Sequence, residues 1–158
     1  MIEIKKSELN GIYEFLNEIK LNKITSPDVR RTILKLVVHI PKAIEDVQKS
    51  INEIRNRFFE EFAKEDLAEF QNSLNLITDL LRSGNFEEAS LRDKETTGKY
   101  PEIVVAYKNF NDSLLELQNE TVSFEIDPMD MSDFIDGLSN QDVDVTAKEL
   151  TLLKSILY

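Results

Sequence analysis

The chain has 158 residues, 41% of them hydrophobic and 31% charged, with a formal net charge of −11 and no cysteine. This excludes a disulfide framework and thiolate chemistry, argues against nucleic-acid binding by the chain as a whole, and suffices for a single domain over residues 1–158. No run approaches the roughly 18 apolar residues of a membrane span, and Met1-Ile-Glu-Ile-Lys-Lys lacks a signal-peptide core, so a soluble protein is expected.

Charge is unevenly distributed. Residues 1–57 hold 11 Lys/Arg against 8 Asp/Glu, a net of +3, whereas residues 58–158 hold 8 against 22, a net of −14. No basic residue occurs between Lys108 and Lys148, while ten acidic ones accumulate there, among them Asp127, Asp130, Asp133 and Asp136. Such a window is either a solvated acidic surface or a docking surface for a basic partner, which includes the positive half of another copy.

In chain order, Ile2 and Ile4 alternate with Glu3 and Lys5, a short strand signal. Ser7 then caps a helix with Leu9, Ile12, Tyr13, Leu16 and Ile19 on one face, slightly weakened by Gly11. A short connection, Asn22 to Thr25, leads into a long helical stretch, on which this first helix should fold back as an antiparallel neighbour. From Ser26 to Glu65 the apolar residues Val29, Ile33, Leu36, Ile40, Ile44, Val47, Ile51, Ile54, Phe58 and Phe62 recur at steps of three and four, which only an α-helix places on one side. Ser26-Pro27-Asp28 supplies a hydroxyl cap, proline at the first helical position and a carboxylate at the positive end of the dipole. Pro41 interrupts this spine, which is either one kinked helix or two helices with the second opening at Pro41.

A third helical stripe runs through Leu67, Phe70, Leu74, Ile77 and Leu81, continuous with the spine or broken near Lys64 to Asp66, and Ser83-Gly84-Asn85 ends it. Glu87 to Lys99 is polar and reads as a partly mobile connection with a turn at Thr97-Gly98. Pro101 and Glu102 open another helix bearing Ile103, Tyr107, Phe110, Leu114 and Leu117. Val122, Phe124 and Ile126 alternate with polar residues and should pair with Ile2 and Ile4. Asp127-Pro128 turns the chain, Met131 to Leu138 reads as one helical turn or two, and Thr146-Ala-Lys-Glu149 is a capping box for a last helix with Leu150, Leu153 and Leu157 inward. The fold expected is mainly α: a long kinked spine with shorter antiparallel helices and a minor two-stranded element, about 2–5 with 122–126.

Chemistry is sparse. His39 has no second histidine and no cysteine, which rules out the usual zinc and di-iron sets. There is no glycine-rich phosphate loop and no nucleophile elbow. Asn140-x-Asp142-x-Asp144 imitates the start of a calcium loop, but Val145 stands where glycine is needed and Thr151 where a bidentate glutamate is needed. A looser cation site would have to draw on Asp127, Asp130 and Asp133. The pairs Glu60-Glu61 and Glu87-Glu88 are adjacent, so on a helix they diverge by about 100° and do not converge for acid–base work. No catalytic, cofactor-binding or metal-ligating residue is therefore assigned. A local phosphate patch would have to come from Arg30, Arg31 and Lys35, with Lys20 and Lys23.

From Leu9 to Leu21 the chain reads Leu-Asn-Gly-Ile-Tyr-Glu-Phe-Leu-Asn-Glu-Ile-Lys-Leu, with Arg30-Arg31 and a long helix after it. Here, and again over 122–157 where a strand leads through an acidic segment into a small terminal helix, it resembles a family of short uncharacterised proteins of tailed-phage and prophage genomes. Residues 66–99 look longer and different. The resemblance implies phage context, in a virion or a bacterial host cytoplasm, and carries over no activity and no functional residue. The expectation is a non-enzymatic phage protein acting by protein–protein contact, as a virion or virion-assembly component of the neck or tail. Its partners would be other phage structural proteins or copies of itself, without cofactor or membrane. The candidate contact residues are Arg30, Arg31 and Lys35 on one side, and Asp130, Asp133 and Asp136 on the other. The alternative is a small acidic inhibitor that mimics nucleic acid to block a host defence protein.

Overall fold

A computed structural model describes residues 1–139, 141, 143 and 145–158. The described chain is mainly helical, with one two-stranded antiparallel sheet. Its internal contacts fall into two compact units: residues 1–49 with 116–158 form unit 1, and Ser50–Leu115 forms unit 2.

In unit 1, β1 (Ile2–Lys5) pairs with β2 (Thr121–Phe124), Ile2 opposite Phe124 and Ile4 opposite Val122. The alternation seen in the sequence puts Ile2 and Ile4 into the core. The pairing ends at Phe124, where the Ile126 N–H donates to the Phe124 carbonyl at 2.7 Å and bends the chain. Lys6 continues the ladder by donating its N–H to the Glu120 carbonyl, and its ammonium lies 2.5 Å from the Glu120 carboxylate. A 3₁₀ turn, Lys6–Glu8, precedes α1 (Leu9–Glu18), so Ser7 lies within that turn and is not the expected cap. Leu9, Ile12, Phe15 and Leu16 are the buried face of α1, with Tyr13 only partly covered.

The spine resolves into one helix, α2 (Pro27–Glu61), with Pro41 inside it. Val29, Ile33, Leu36 and Ile40 are buried in unit 1 and Phe58 is buried in unit 2, while Ile44, Val47, Ile51 and Ile54 between them are half-buried. The sequence phase is thus kept across the proline. The helix stops before Ala63, whose extended backbone starts α3 (Lys64–Arg82). In α6 (Met131–Leu138), Asp130 caps the helix by accepting from the Asp133 N–H, and Phe134 and Leu138 face inward. A Cβ on Gly137 would lie 2.7 Å from Ile24 Cδ1, so any larger residue there requires the buried Ile24 side chain to shift. The Thr146–Glu149 capping box forms and opens α7 (Ala147–Leu153). Leu157, expected on that helix, lies beyond it: the strand-like contact Met129–Leu157 carries it into the core, with the Met129 N–H donating to the Ile156 carbonyl at 2.9 Å.

Unit 2 is helical. α3 ends in a Schellman motif, with Gly84 at φ +78°, the Asn85 N–H donating to the Leu80 carbonyl and the Gly84 N–H to that of Leu81. One expectation is overturned here. Glu87 to Lys99 is not a mobile connection, and Thr97-Gly98 is not a turn: both belong to α4 (Phe86–Lys99), which packs closely on α3. Its Glu, Lys, Arg and Ala residues favour helix, and it packs through the small side chains of Ala89 and Thr96, which leave no apolar stripe to read. α5 (Pro101–Asn119) completes the unit and buries Ile103 there. Among the described residues no helix is long and apolar enough to cross a membrane.

Candidate functional site

Four of the six charged candidates stand together and not on separate surfaces. In unit 1, Arg31 and Lys35 on α2 line the same cleft as Asp130 and Asp133, a space of about 350 Å³ that Asp28, Asp127 and Tyr158 also border. Acidic and basic groups therefore share one cleft. Arg31 lies 3.5 Å from the Asp28 carboxylate, and Asp133 accepts the Ser26 hydroxyl at 3.0 Å. Arg30 and Asp136 are exposed and do not line the cleft. Asp127, Asp130 and Asp133 do not form the looser cation site, since among the described residues no three acidic or histidine side chains gather as a metal would need. Asn140, Asp142 and Asp144 lie outside the described residues. His39 is exposed on α2.

The more distinctive surface is in unit 2. Phe58 stacks on Phe110, with ring centroids 5.1 Å apart, and meets Phe62 at 6.1 Å and Tyr107 at 5.9 Å. Phe70 meets Tyr107 and Tyr100 edge-on. Two grooves share the Phe58–Phe110 stack. One, of about 630 Å³, runs between α2 and α5 over Ile54, Phe62, Val105 and Ala106, edged by Arg57, Glu61 and Glu102. The other, of about 800 Å³, runs between α2 and α3 over Phe58, Phe59, Leu67 and Phe70, edged by Arg55 and Lys64. Phe59, Phe86, Leu91 and Val105 each leave more than half of their surface exposed.

The α3–α4 pair is tied at one end. Glu69 accepts from Lys99 Nζ at 2.6 Å and from the Tyr100 hydroxyl, and the Lys99 ammonium lies 5.0 Å from the Tyr100 ring centroid. The hydrogen bonds from Lys99 and Tyr100 hold the Glu69 carboxyl below its ordinary range, and the one to Glu69 pushes Lys99 above its own. With Glu69 and Lys99 exposed and Tyr100 buried, the cluster is a structural clasp, since each group is satisfied by its neighbours.

The sequence marked Phe58, Phe62, Tyr107 and Phe110 as core stripe, not as a binding surface, and passed over Phe59. The signal was present in the pair Phe58-Phe59. Neighbours on a helix diverge by about 100°, so one core cannot cover both rings. Comparison of the chain with family models, with curated proteins and with solved structures finds no match to any of them.

Proposed function

We propose that this chain is a non-enzymatic phage protein acting by protein–protein contact, as a virion or virion-assembly component of the neck or tail that binds copies of itself or other phage structural proteins. One observation carries the contact reading. Unit 2 displays Phe59, Phe86, Leu91 and Val105 outward and opens an apolar groove on each side of its aromatic stack. Apolar grooves with exposed large apolar side chains are what partner-binding proteins keep and self-sufficient ones cover. The phage context rests on the resemblance over residues 9–36 and 122–157.

Mass spectrometry of purified particles and assembly intermediates, from a host carrying the gene in a prophage, tests the virion reading. The chain should appear in fixed ratio to portal and tail proteins; its absence from every particle class would overturn a structural role. Light scattering over a range of concentration and salt tests self-contact separately. A monomer under all conditions would overturn that part.

A further inference from the structure

The α2–α3 groove of unit 2 is chemically one-sided. Its floor is aromatic and aliphatic, and its charged lining residues, Arg55 and Lys64, are both cations. In a chain of net charge −11 this is the less expected sign. Neither cation makes an ion pair among the described residues. An occupant must bring apolar side chains for the floor and carboxylates for the rim.

Unit 1 of the same chain carries such a surface on α6. Phe134 and Leu138 fill the core, but Met131 and Ile135 are 43% and 42% exposed. They are one turn apart on one face, about 6 Å along the helix axis. Asp136 follows Ile135, is exposed, and makes no ion pair among the described residues. On its other side α6 contributes Asp133 to the cleft shared with Arg31 and Lys35, whereas Asp136 does not line that cleft and is the carboxylate α6 offers to Arg55 or Lys64.

We infer that α6 of one copy docks in the α2–α3 groove of a second copy, with Met131 and Ile135 on the ring of Phe59 and Asp136 at the Arg55–Lys64 rim. The inference rests on the self-contact part of the proposed function and names its two faces. The faces differ, so the contact is heterologous and passes from copy to copy until a ring closes or a filament grows.

Ile135→Glu disables only the α6 face and Phe59→Glu only the groove. Both positions are exposed, and circular dichroism checks that each variant keeps its helix. Sedimentation velocity should show self-association of each variant weakened by at least about tenfold, the scale of one lost apolar anchor. An equimolar mixture should form 1:1 pairs and nothing larger, because one variant brings an intact groove and the other an intact α6. Asp136→Lys should weaken association about two- to fivefold, as for a rim ion pair, and Lys64→Glu in the partner copy should restore it. Wild-type association that neither variant disturbs overturns this contact and leaves self-contact standing. Weakened variants that do not recover on mixing also overturn it. A wild-type chain monomeric at every concentration and salt overturns both readings.

Discussion

Replacing Phe58 by alanine should separate the two units energetically. Phe58 is 7% exposed and makes ring contacts with Phe62, Tyr107 and Phe110. Burying a phenylalanine is worth about 1.5–3 kcal/mol, and aromatic pairs add about 0.5–1.5 kcal/mol beyond that. Both grooves border Phe58, so the vacated space joins open solvent instead of closing as a dry cavity. The cost therefore falls near the low end of the range for Phe→Ala, about 3 kcal/mol. A unit the size of Ser50–Leu115 has about 3–10 kcal/mol in total, so much of its margin is lost. The core around Ile33, Leu36, Ile40 and Phe134 is untouched, since it lies wholly in unit 1. Native-state hydrogen exchange reads this directly. Amides of α3 and the first half of α5 should lose about two decades of protection, while those of α1, β1 and the start of α2 keep theirs. An equal loss in both units would refute independent cores, and no loss anywhere would refute the burial argument.

Pro41→Ala should stabilise the chain. It restores a donor to the Val37 carbonyl, but Pro41 is exposed and water already reaches that turn, so about 1 kcal/mol is expected instead of the full 3; an unchanged melting temperature would show that the helix loses nothing there. Gly137→Ala should destabilise unit 1 by about 1 kcal/mol or more. The Ile24 clash outweighs the gain in helix propensity, so a raised melting temperature would refute the close approach. The Glu69–Lys99 contribution should be complete between the ordinary values of the two groups, 4.5 and 10.5. It should fade as pH falls through the lowered Glu69 value or rises through the raised Lys99 value. Glu69→Gln should flatten the acid limb of stability against pH, and an identical limb in the variant would dismiss the clasp.

Much of the local structure was legible because it depends on near neighbours in the chain. Pro27 marks the start of α2, Gly84 the end of α3 and the Thr146–Glu149 box the start of α7. Each acts within one turn, through a missing donor, a positive φ or a side chain reaching backbone N–H groups. Steps of three and four likewise required one continuous face from Val29 to Phe62, and α2 keeps that phase through Pro41. The pairing of Ile2 and Ile4 with Val122 and Phe124 came from matching alternation.

Spacing could not reveal which neighbour covers each face. α4 is held by Ala89 and Thr96 against α3, and side chains so small leave no stripe in a sequence. Arg31 and Lys35 line one cleft with Asp130 and Asp133, about a hundred residues away in the chain. Charge counted along a chain says nothing about such meetings, because an electrostatic interaction falls with distance through space. Phe59 is exposed and Phe58 covered for the same reason. Two adjacent rings have the same hydrophobicity, and only the placement of α3 and α5 decides which of them loses its water.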